Sequence, residues 1–441
     1  KRVINMKMYA AKKYIPFYTF LLFLIIFIGA CAKNPVTGER EIVLISEEDE
    51  LSIGVKNYPI TTQINNGLFK DDELQAYVND VGKRLGAVSH RKNLPYEFNV
   101  VNSSDYNAFC LPGGKISITR GLLMNLENED QLAGILGHEI GHATARHSAK
   151  HISRTVLTQA VLVSIEAVLA AKDIKNRELY SLGSTFAATL MLMKYSRDQE
   201  RQSDHLGLDY MNKTGYNPTG LKQSMEILQK AHKKESSKLE NLFMTHPLTT
   251  ERIDAISKEL NTTYKDTVIR ELKADEFNRK TAHLKNLKNA YAHYDRGDEA
   301  MGKKDYKTAE GEYNKAIWLH KDAIFYSGLA FALLKQDKTG DAKTAIDASI
   351  KIDPNLFGSR FLSGLINYKS EKYQTTLVHM LAADKLIPDV PQVKLYIARC
   401  YERLNNKEKS AEYYKETLKL DPNGEAGKEA REKLLKWGVI K

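Results

Sequence analysis

The strongest periodicity in the chain lies near its end. Pro354, Pro388 and Pro422 close the segments IKIDP, KLIP and LKLDP and stand 34 residues apart each time. Counted back from these prolines, small or aromatic residues recur at helical spacing: Ala309, Tyr313 and Ala316, then Ala342 and Ile346, Met380 and Ala383, and finally Tyr401, Ala411 and Tyr414. GKKDY, SEKYQ and NNKEKS fall where the two helices of each unit would turn. A helix pair of this length cannot bury its apolar face alone, so the period predicts a stacked α-solenoid. It has about four units over residues 289–422, with residues 428–437 as a capping helix. The expected groove would hold an extended segment or a partner helix.

Upstream, residues 45–262 read as one mainly helical domain with strand candidates at Tyr96–Asn102 and Lys115–Thr119. One helix is predicted to start near Asn128, with Asn128 and Gln131 placed as a capping pair. A second covers SRDQERQSDHLG and stops at Gly215, after which Asn217-Pro218 opens a third. The run 155–171 is apolar apart from Gln159 and Glu166. It is too short and interrupted to span a membrane, and is expected to be a core helix rather than a lid. Residues 263–285 are charged and lack an apolar stripe, and are expected to form a helical linker. At the start, residues 17–30 are an uncharged run of 14 behind Lys7, Lys12 and Lys13. That is the size of a signal-peptide core. It ends Ile28-Gly29-Ala30-Cys31, resembling a bacterial lipoprotein signal in which Cys31 is lipidated. Residues 1–30 are therefore expected to be a signal peptide, Met6 or Met8 the start of translation, and the remainder an exported, lipid-anchored protein.

Composition changes little in this picture. With 42% hydrophobic and 27% charged residues, the chain is neither collagen-like, disordered nor a polytopic membrane protein. The net charge of +10 suggests nucleic acid until it is divided by region. Residues 1–30 carry five basic and no acidic side chains, residues 31–285 carry 33 of each, and residues 286–441 carry 27 against 22. No dense basic face for phosphate results. Three cysteines make no disulfide framework, and Cys110 and Cys400 are expected to be buried thiols.

The chemistry is concentrated in HEIGH, residues 138–142. At about 100° per residue, His138 and His142 differ by about 40° and project side by side, the spacing that puts two imidazoles on one metal ion. Glu139 sits beside them, within reach of a metal-bound water. Gly134, Gly137 and Gly141 form a smooth stripe next to the histidines, each costing about 1 kcal/mol in a helix, so another element must pack close. Catalytic zinc needs a third protein ligand and one open position. His147 and His151 lie about 140° and 180° around the helix from His142 and face elsewhere. Ala145 and Ser148 exclude the metzincin pattern, and the inverted motif is excluded by the order of His138 and Glu139. Glu200 and Asp204, four apart on one helical face, fit better: Glu200 as third ligand, Asp204 fixing the tautomer of a ligand imidazole.

These segments carry a resemblance. HEIGHATARHS, SRDQERQSDHLG, THPLTTERI (245–253) and YNAFCLPGGKISITRGLL (106–123) resemble the HtpX and CAAX-prenyl-protease type of zinc metallopeptidase. With CAKNPVTGERE and the tetratricopeptide-like tail, the chain looks most like the exported BepA/YfgC-type subgroup; Cys110 stands where Ala is more usual. The resemblance implies a mainly α (α+β) fold. A gluzincin-like metallopeptidase domain with a small sheet (31–262) is followed by a helical linker (263–285) and about four tetratricopeptide repeats with a capping helix (286–441). It implies one Zn2+ per chain. It further implies that His246 can take the open coordination position and hold the enzyme inactive, and that Arg252 lies near the substrate or the oxyanion. Asn107 and the strand Lys115–Thr119 (Lys115, Ile116, Ser117, Ile118) would border the cleft, the strand's backbone pairing with an extended substrate. The expected protein is a periplasmic, outer-membrane-bound endopeptidase acting on misfolded or stalled envelope proteins, with a protein partner in the repeat groove and no nucleic acid. The competing class is a chaperone or scaffold for outer-membrane protein assembly with little proteolysis.

Overall fold

The computed structural model describes residues 31–156, 183–232 and 236–441. The expected signal segment, and the run 155–171 beyond Val156, lie outside the described residues; Cys31 is described by its backbone alone. The chain is mostly helical. Cys31–Lys33 (β1) and Arg40–Ile42 (β2) form a short antiparallel hairpin. Helices Glu47–Ile64 (α1) and Asp72–Ala87 (α2) follow, each opened by a side-chain cap, Ser46 and Asp71.

The one three-stranded sheet among the described residues is built from Glu97–Val101 (β3), Ala108–Leu111 (β4) and Lys115–Thr119 (β5), in the order β3-β5-β4. β5 pairs in parallel with β3 and antiparallel with β4. This corrects the expectation that the backbone of Lys115–Thr119 lies open to substrate: both of its hydrogen-bonding edges are used within the sheet. Ile116 and Ile118 belong to the core, and the Lys115 ammonium pairs with Glu97 and donates to Pro95 O. β4, like β3, is an outer strand, and Pro112-Gly113-Gly114 reverses the chain between β4 and β5 with both glycines at φ +75°.

After the short helix Arg120–Leu123 (α3) come the helices that build the site: Glu129–Thr144 (α4), Gly183–Met191 (α5), Arg197–Lys213 (α6), Thr219–His232 (α7), Ser236–Thr245 (α8) and Thr250–Thr262 (α9). Asn128 caps α4 by accepting from Gln131 N at 2.9 Å, while Gln131 Oε1 accepts from Glu127 N rather than closing the box on Asn128. Ser196 and Gln199 make a full capping box on α6, which ends before Gly215 at φ +77°.

Residues 263–274 are turns, not the start of a linker helix. Glu129 N donates to Lys273 O (2.8 Å), Lys273 N donates to Asp130 Oδ2 (2.6 Å), and Arg270 Nη1 donates to Tyr216 O (2.8 Å). The charged segment thus satisfies the Glu129 amide and the Asp130 carboxylate at the start of α4 instead of crossing solvent. Helix resumes at Asp275–Asn286 (α10).

The tail stacks four helix pairs: Lys288–Gly302 with Tyr306–Leu319 (α11, α12), Ala323–Lys335 with Thr339–Ile352 (α13, α14), Phe357–Lys369 with Tyr373–Leu386 (α15, α16), and Pro391–Arg403 with Lys407–Leu420 (α17, α18). Glu425–Lys436 (α19) closes the stack. Ala309, Tyr313, Ala316, Ala342, Ile346, Met380, Ala383 and Tyr414 are buried, while Tyr401 and Ala411 are half-buried. A left-handed residue marks each turn within a pair: Lys304, Asp337, Glu371 and Asn405, with φ between 57° and 62°. The first repeat is fastened to the upstream domain. Buried Arg120 lies 3.4 Å from the centre of the Tyr291 ring, and Asp295 accepts from both Ser104 Oγ (2.5 Å) and Lys238 Nζ (2.7 Å).

Candidate metal centre and active site

The glycine stripe explains how the site assembles. A Cβ on Gly141 would lie 2.8 Å from Ser203 Cα, one on Gly137 3.3 Å from Gly207 Cα, and one on Gly134 2.7 Å from Leu221 Cα. Helix α4 therefore packs backbone to backbone on α6 and the start of α7, and this close approach carries Glu200 and Asp204 to the histidines of α4.

Four donor groups converge: His138, His142, Glu200 and His246 are buried, and one ligand atom from each lies within 4.8 Å of all the others. His138 Nε2 is 3.1 Å from His142 Nε2 and 3.4 Å from His246 Nδ1, and Glu200 Oε1 is 3.4 Å from His142 Nε2 and 3.1 Å from His246 Nδ1. A tetrahedron of donors at zinc–nitrogen or zinc–oxygen bond length has edges of about 3.3 Å. The donor set therefore fits zinc in chemistry and in spacing.

Charge balance points the same way. Glu139, Glu200 and Asp204 bury three carboxylates against the single guanidinium of Arg252, leaving two negative charges for a divalent cation to neutralise. Glu139 Oε2 is buried and has no hydrogen-bond partner. Burial pushes the Glu139 carboxyl up. Burial also acts to raise Glu200 and Asp204, but His246 beside the first and Arg252 beside the second hold both below the usual carboxylate range. Burial keeps His142 well below its ordinary value, and hence neutral. For His246 burial is outweighed by Glu200 and Glu139, which push the imidazole up.

Outer groups aim the imidazoles. Asp204 Oδ1 lies 2.8 Å from His138 Nδ1, so that nitrogen carries the proton and Nε2 turns its lone pair inward. His142 is oriented by a relay that the sequence concealed. His147 Nε2 donates to Gln202 Oε1 (3.0 Å), so His147 Nδ1 accepts from His142 Nδ1 at 2.9 Å and leaves His142 Nε2 free for metal. Helical phase places His147 on another face, but α4 ends at Thr144 and Arg146 takes φ +56°, so the next stretch starts in a new direction. Burial pushes His147 down to about 3, keeping it a neutral relay. Tyr195, also unanticipated, stacks on His142 with ring centres 3.9 Å apart and walls the site beside His246.

Arg252 is not free to meet an oxyanion. Its Nε and Nη2 donate to Asp204 at 2.8 and 2.7 Å, and Nη1 lies 2.6 Å from Glu200 Oε2 and donates to Pro247 O. It fixes the two carboxylates that fix the site. The sheet enters through β4 rather than β5: Ala108 borders the cavity next to His138 and Glu139. Asn107, just before β4, is buried with Oδ1 unpartnered, and its backbone exchanges bonds with Thr119. His151 is half-buried outside the donor group.

Two imidazoles turned inward, a carboxylate on the neighbouring helix and a buried glutamate beside them define a zinc metallopeptidase domain. Residues 72–260 match Peptidase family M48, so the chain carries an M48 metallopeptidase domain, followed by tetratricopeptide-type helix pairs. Residues 360–437, within those pairs, match the family Regulator of microtubule dynamics protein 1-3. Mitochondrial metalloendopeptidase OMA1 of Schizosaccharomyces pombe is 33% identical over 184 residues, 42% of this chain and 52% of that protein. The beta-barrel assembly-enhancing protease of Escherichia coli (strain K12) is 27% identical over 190 residues, 42% of this chain and 39% of that protein. The chain thus spans about half or less of the length of these relatives. Among solved structures, YrrB, a TPR protein with an unusual peptide-binding site, overlays 47% of this chain and 99% of its own with a TM-score of 0.31 and 17% identity.

Proposed function

We propose that the chain is a zinc-dependent endopeptidase of the bacterial cell envelope, acting on envelope or outer-membrane proteins that its repeat groove recruits directly or through a partner. The observation that carries this reading is the tetrahedral spacing of His138, His142, Glu200 and His246 with Glu139 beside them. Support for the envelope comes from the signal-like residues 1–30, with Cys31 as the lipid anchor, and from the beta-barrel assembly-enhancing proteases among its relatives. Among the described residues no helix is long and apolar enough to cross a membrane; attachment is through lipid at Cys31.

Bound zinc polarises a carbonyl and lowers the pKa of water to about 7. His138, His142 and Glu200 would hold it, oriented by Asp204, by the His147–Gln202 pair and by Arg252. Glu139, whose Oε2 is unpartnered, takes a proton from water and returns it to the leaving amine. An extended substrate lies along the outer edge of β4, the sheet edge next to Glu139. His246 completes the donor set in this state, so it acts as a latch: the imidazole must leave before water and substrate enter. Once displaced, it is the nearest free donor for the oxyanion, since Arg252 is engaged.

The test pairs three variants of the zinc-loaded chain. Glu200→Gln should lose metal, Glu139→Gln should keep metal and lose cleavage of an unfolded substrate, and His246→Ala should keep metal and cleave faster. Stoichiometric zinc with normal activity in Glu200→Gln would remove the ligand assignment. A loss of activity in His246→Ala with zinc and fold intact would make His246 a transition-state group instead of a latch. A second reading, a scaffold whose protease site stays closed, is favoured by the same His246 contacts. It predicts that Glu139→Gln supports envelope assembly as fully as the wild type.

A further inference from the structure

The chain leaves α4 at Ala145 and Arg146 and is helical again over 147–156. That turn brings His147 back to His142, and three buried charged side chains hold it: Glu50 of α1 is 2% exposed, Arg146 5% and Arg91 9%. We propose that Glu50, clasped by these two arginines, is a positioning residue for the metal centre, setting the turn from which His147 aims the His142 imidazole. The inference deepens, and rests on, the reading of His142 as a zinc ligand.

The contacts form a closed set. Arg146 Nε donates to Glu50 Oε2 at 2.9 Å, and its Nη2 donates to Ile45 O at 2.8 Å. Arg91 Nη1 donates to Glu50 Oε1 at 2.9 Å and to Ala143 O, in the last turn of α4, at 3.0 Å. Arg91 Nη2 reaches Glu47 Oε1 at 3.2 Å. One carboxylate therefore ties the end of α4, through Arg91, to the left-handed residue that follows, through Arg146. The same upstream segment grips the stretch beyond the turn: Leu44 N donates to Ser153 Oγ at 2.9 Å, and Lys150 Nζ pairs with Glu41 at 2.6 Å.

Replacing buried ion groups of this kind by packed hydrocarbon is often neutral or stabilising, so stability alone does not account for them. An arginine at φ +56° also carries strain that glycine would avoid. Both costs fall on the residue just before His147. What the guanidinium fork supplies is direction: held on a fixed carboxylate, it allows one orientation of the turn. The His147 ring then arrives 2.9 Å from His142 Nδ1. Glu50 lies outside residues 72–260, the segment that matches the peptidase family. Helix α1 thereby serves a centre whose donors all lie within that segment.

The experiment measures zinc affinity of the full chain by chelator competition, with the visible spectrum of the cobalt-loaded form as a second readout. Arg146→Gly keeps the left-handed turn and removes the fork, whereas Glu50→Gln keeps the shape and removes the charge. Each should weaken zinc about tenfold or more and shift the cobalt bands as His147→Ala does. In a His147→Ala background neither should weaken zinc further, because the path to the metal is already cut. Glu129→Gln is the control for lost stability. Glu129 is equally buried at the other end of α4, accepting from Tyr77, Tyr216 and Arg84. Its replacement should lower the thermal midpoint and leave zinc affinity and spectrum unchanged. Should Glu50→Gln fail to fold, Arg146→Gly decides. Wild-type affinity in Arg146→Gly, an equal loss in Glu129→Gln, or additive losses with His147→Ala overturns the positioning role and leaves the ligand reading standing. Full zinc affinity in His142→Ala instead removes the ligand reading, and this inference with it.

Discussion

The metallopeptidase domain and the repeat array bury their polar groups on opposite terms. In the first, three carboxylates and four histidines (138, 142, 147 and 246) sit in one interior cluster, each group but Glu139 held by another. In the second, the interior is alanine, leucine and tyrosine, and most ion pairs, such as Arg399 with Glu429 or Lys369 with Asp337, lie at or near the surface. Buried charge is costly unless every member is paired, so the first region is specific and brittle. Close-packed hydrocarbon with water-exposed charges degrades gradually, so the second tolerates change.

Catalysis separates the regions most widely. Glu139→Gln should lower cleavage of a short peptide by about 10²- to 10⁴-fold with zinc retained, while Phe331→Ala, at an exposed aromatic bordering the open pocket shared with Tyr294 and Phe361 of the repeats, should leave that rate unchanged and slow only a large substrate. Equal losses on both substrates for Phe331→Ala would merge the two regions functionally. Stability is next. Arg252→Ala strands Asp204 and should cost about 3–5 kcal/mol in denaturant unfolding, whereas Arg399→Ala, in a part-exposed pair, should cost about 1 kcal/mol or less. His147→Ala should weaken zinc by about 10- to 100-fold in a chelator competition, because it frees the His142 ring without removing a ligand. An unchanged affinity would mean the relay aims nothing.

The same substitution should change sign between the regions. A Cβ on Gly141 meets the Ser203 backbone, so Gly141→Ala should destabilise by about 1–3 kcal/mol. Gly311 sits within α12 with nothing within 4 Å of such a Cβ, so Gly311→Ala should stabilise by about 0.5–1 kcal/mol. The smallest contrast is in pH. Asp204 is held below its usual range, so its contribution is present above about pH 4 and is lost on acidification. In the repeats Asp298, which accepts from the Tyr313 hydroxyl, is exposed, so the repeat transition should shift less between pH 5 and pH 3 than that of the metallopeptidase domain.

The sequence by itself determined what depends on neighbours along the chain. Two histidines four apart share a helical face, Glu200 and Asp204 share another, three glycines announce a close approach, and a period of 34 residues announces stacked helix pairs. All of these follow from the 3.6-residue turn. The arithmetic failed where the backbone left the helix: one left-handed residue, Arg146, returned His147 to His142. Only the tertiary structure decided that β5 is central and β4 an outer strand, that residues 263–274 clasp α4, and that Arg252, 48 residues beyond Asp204, grips it rather than the substrate. Strand order and the pairing of buried charges are set by which surfaces pack together, and the spacing of residues in the chain does not encode that.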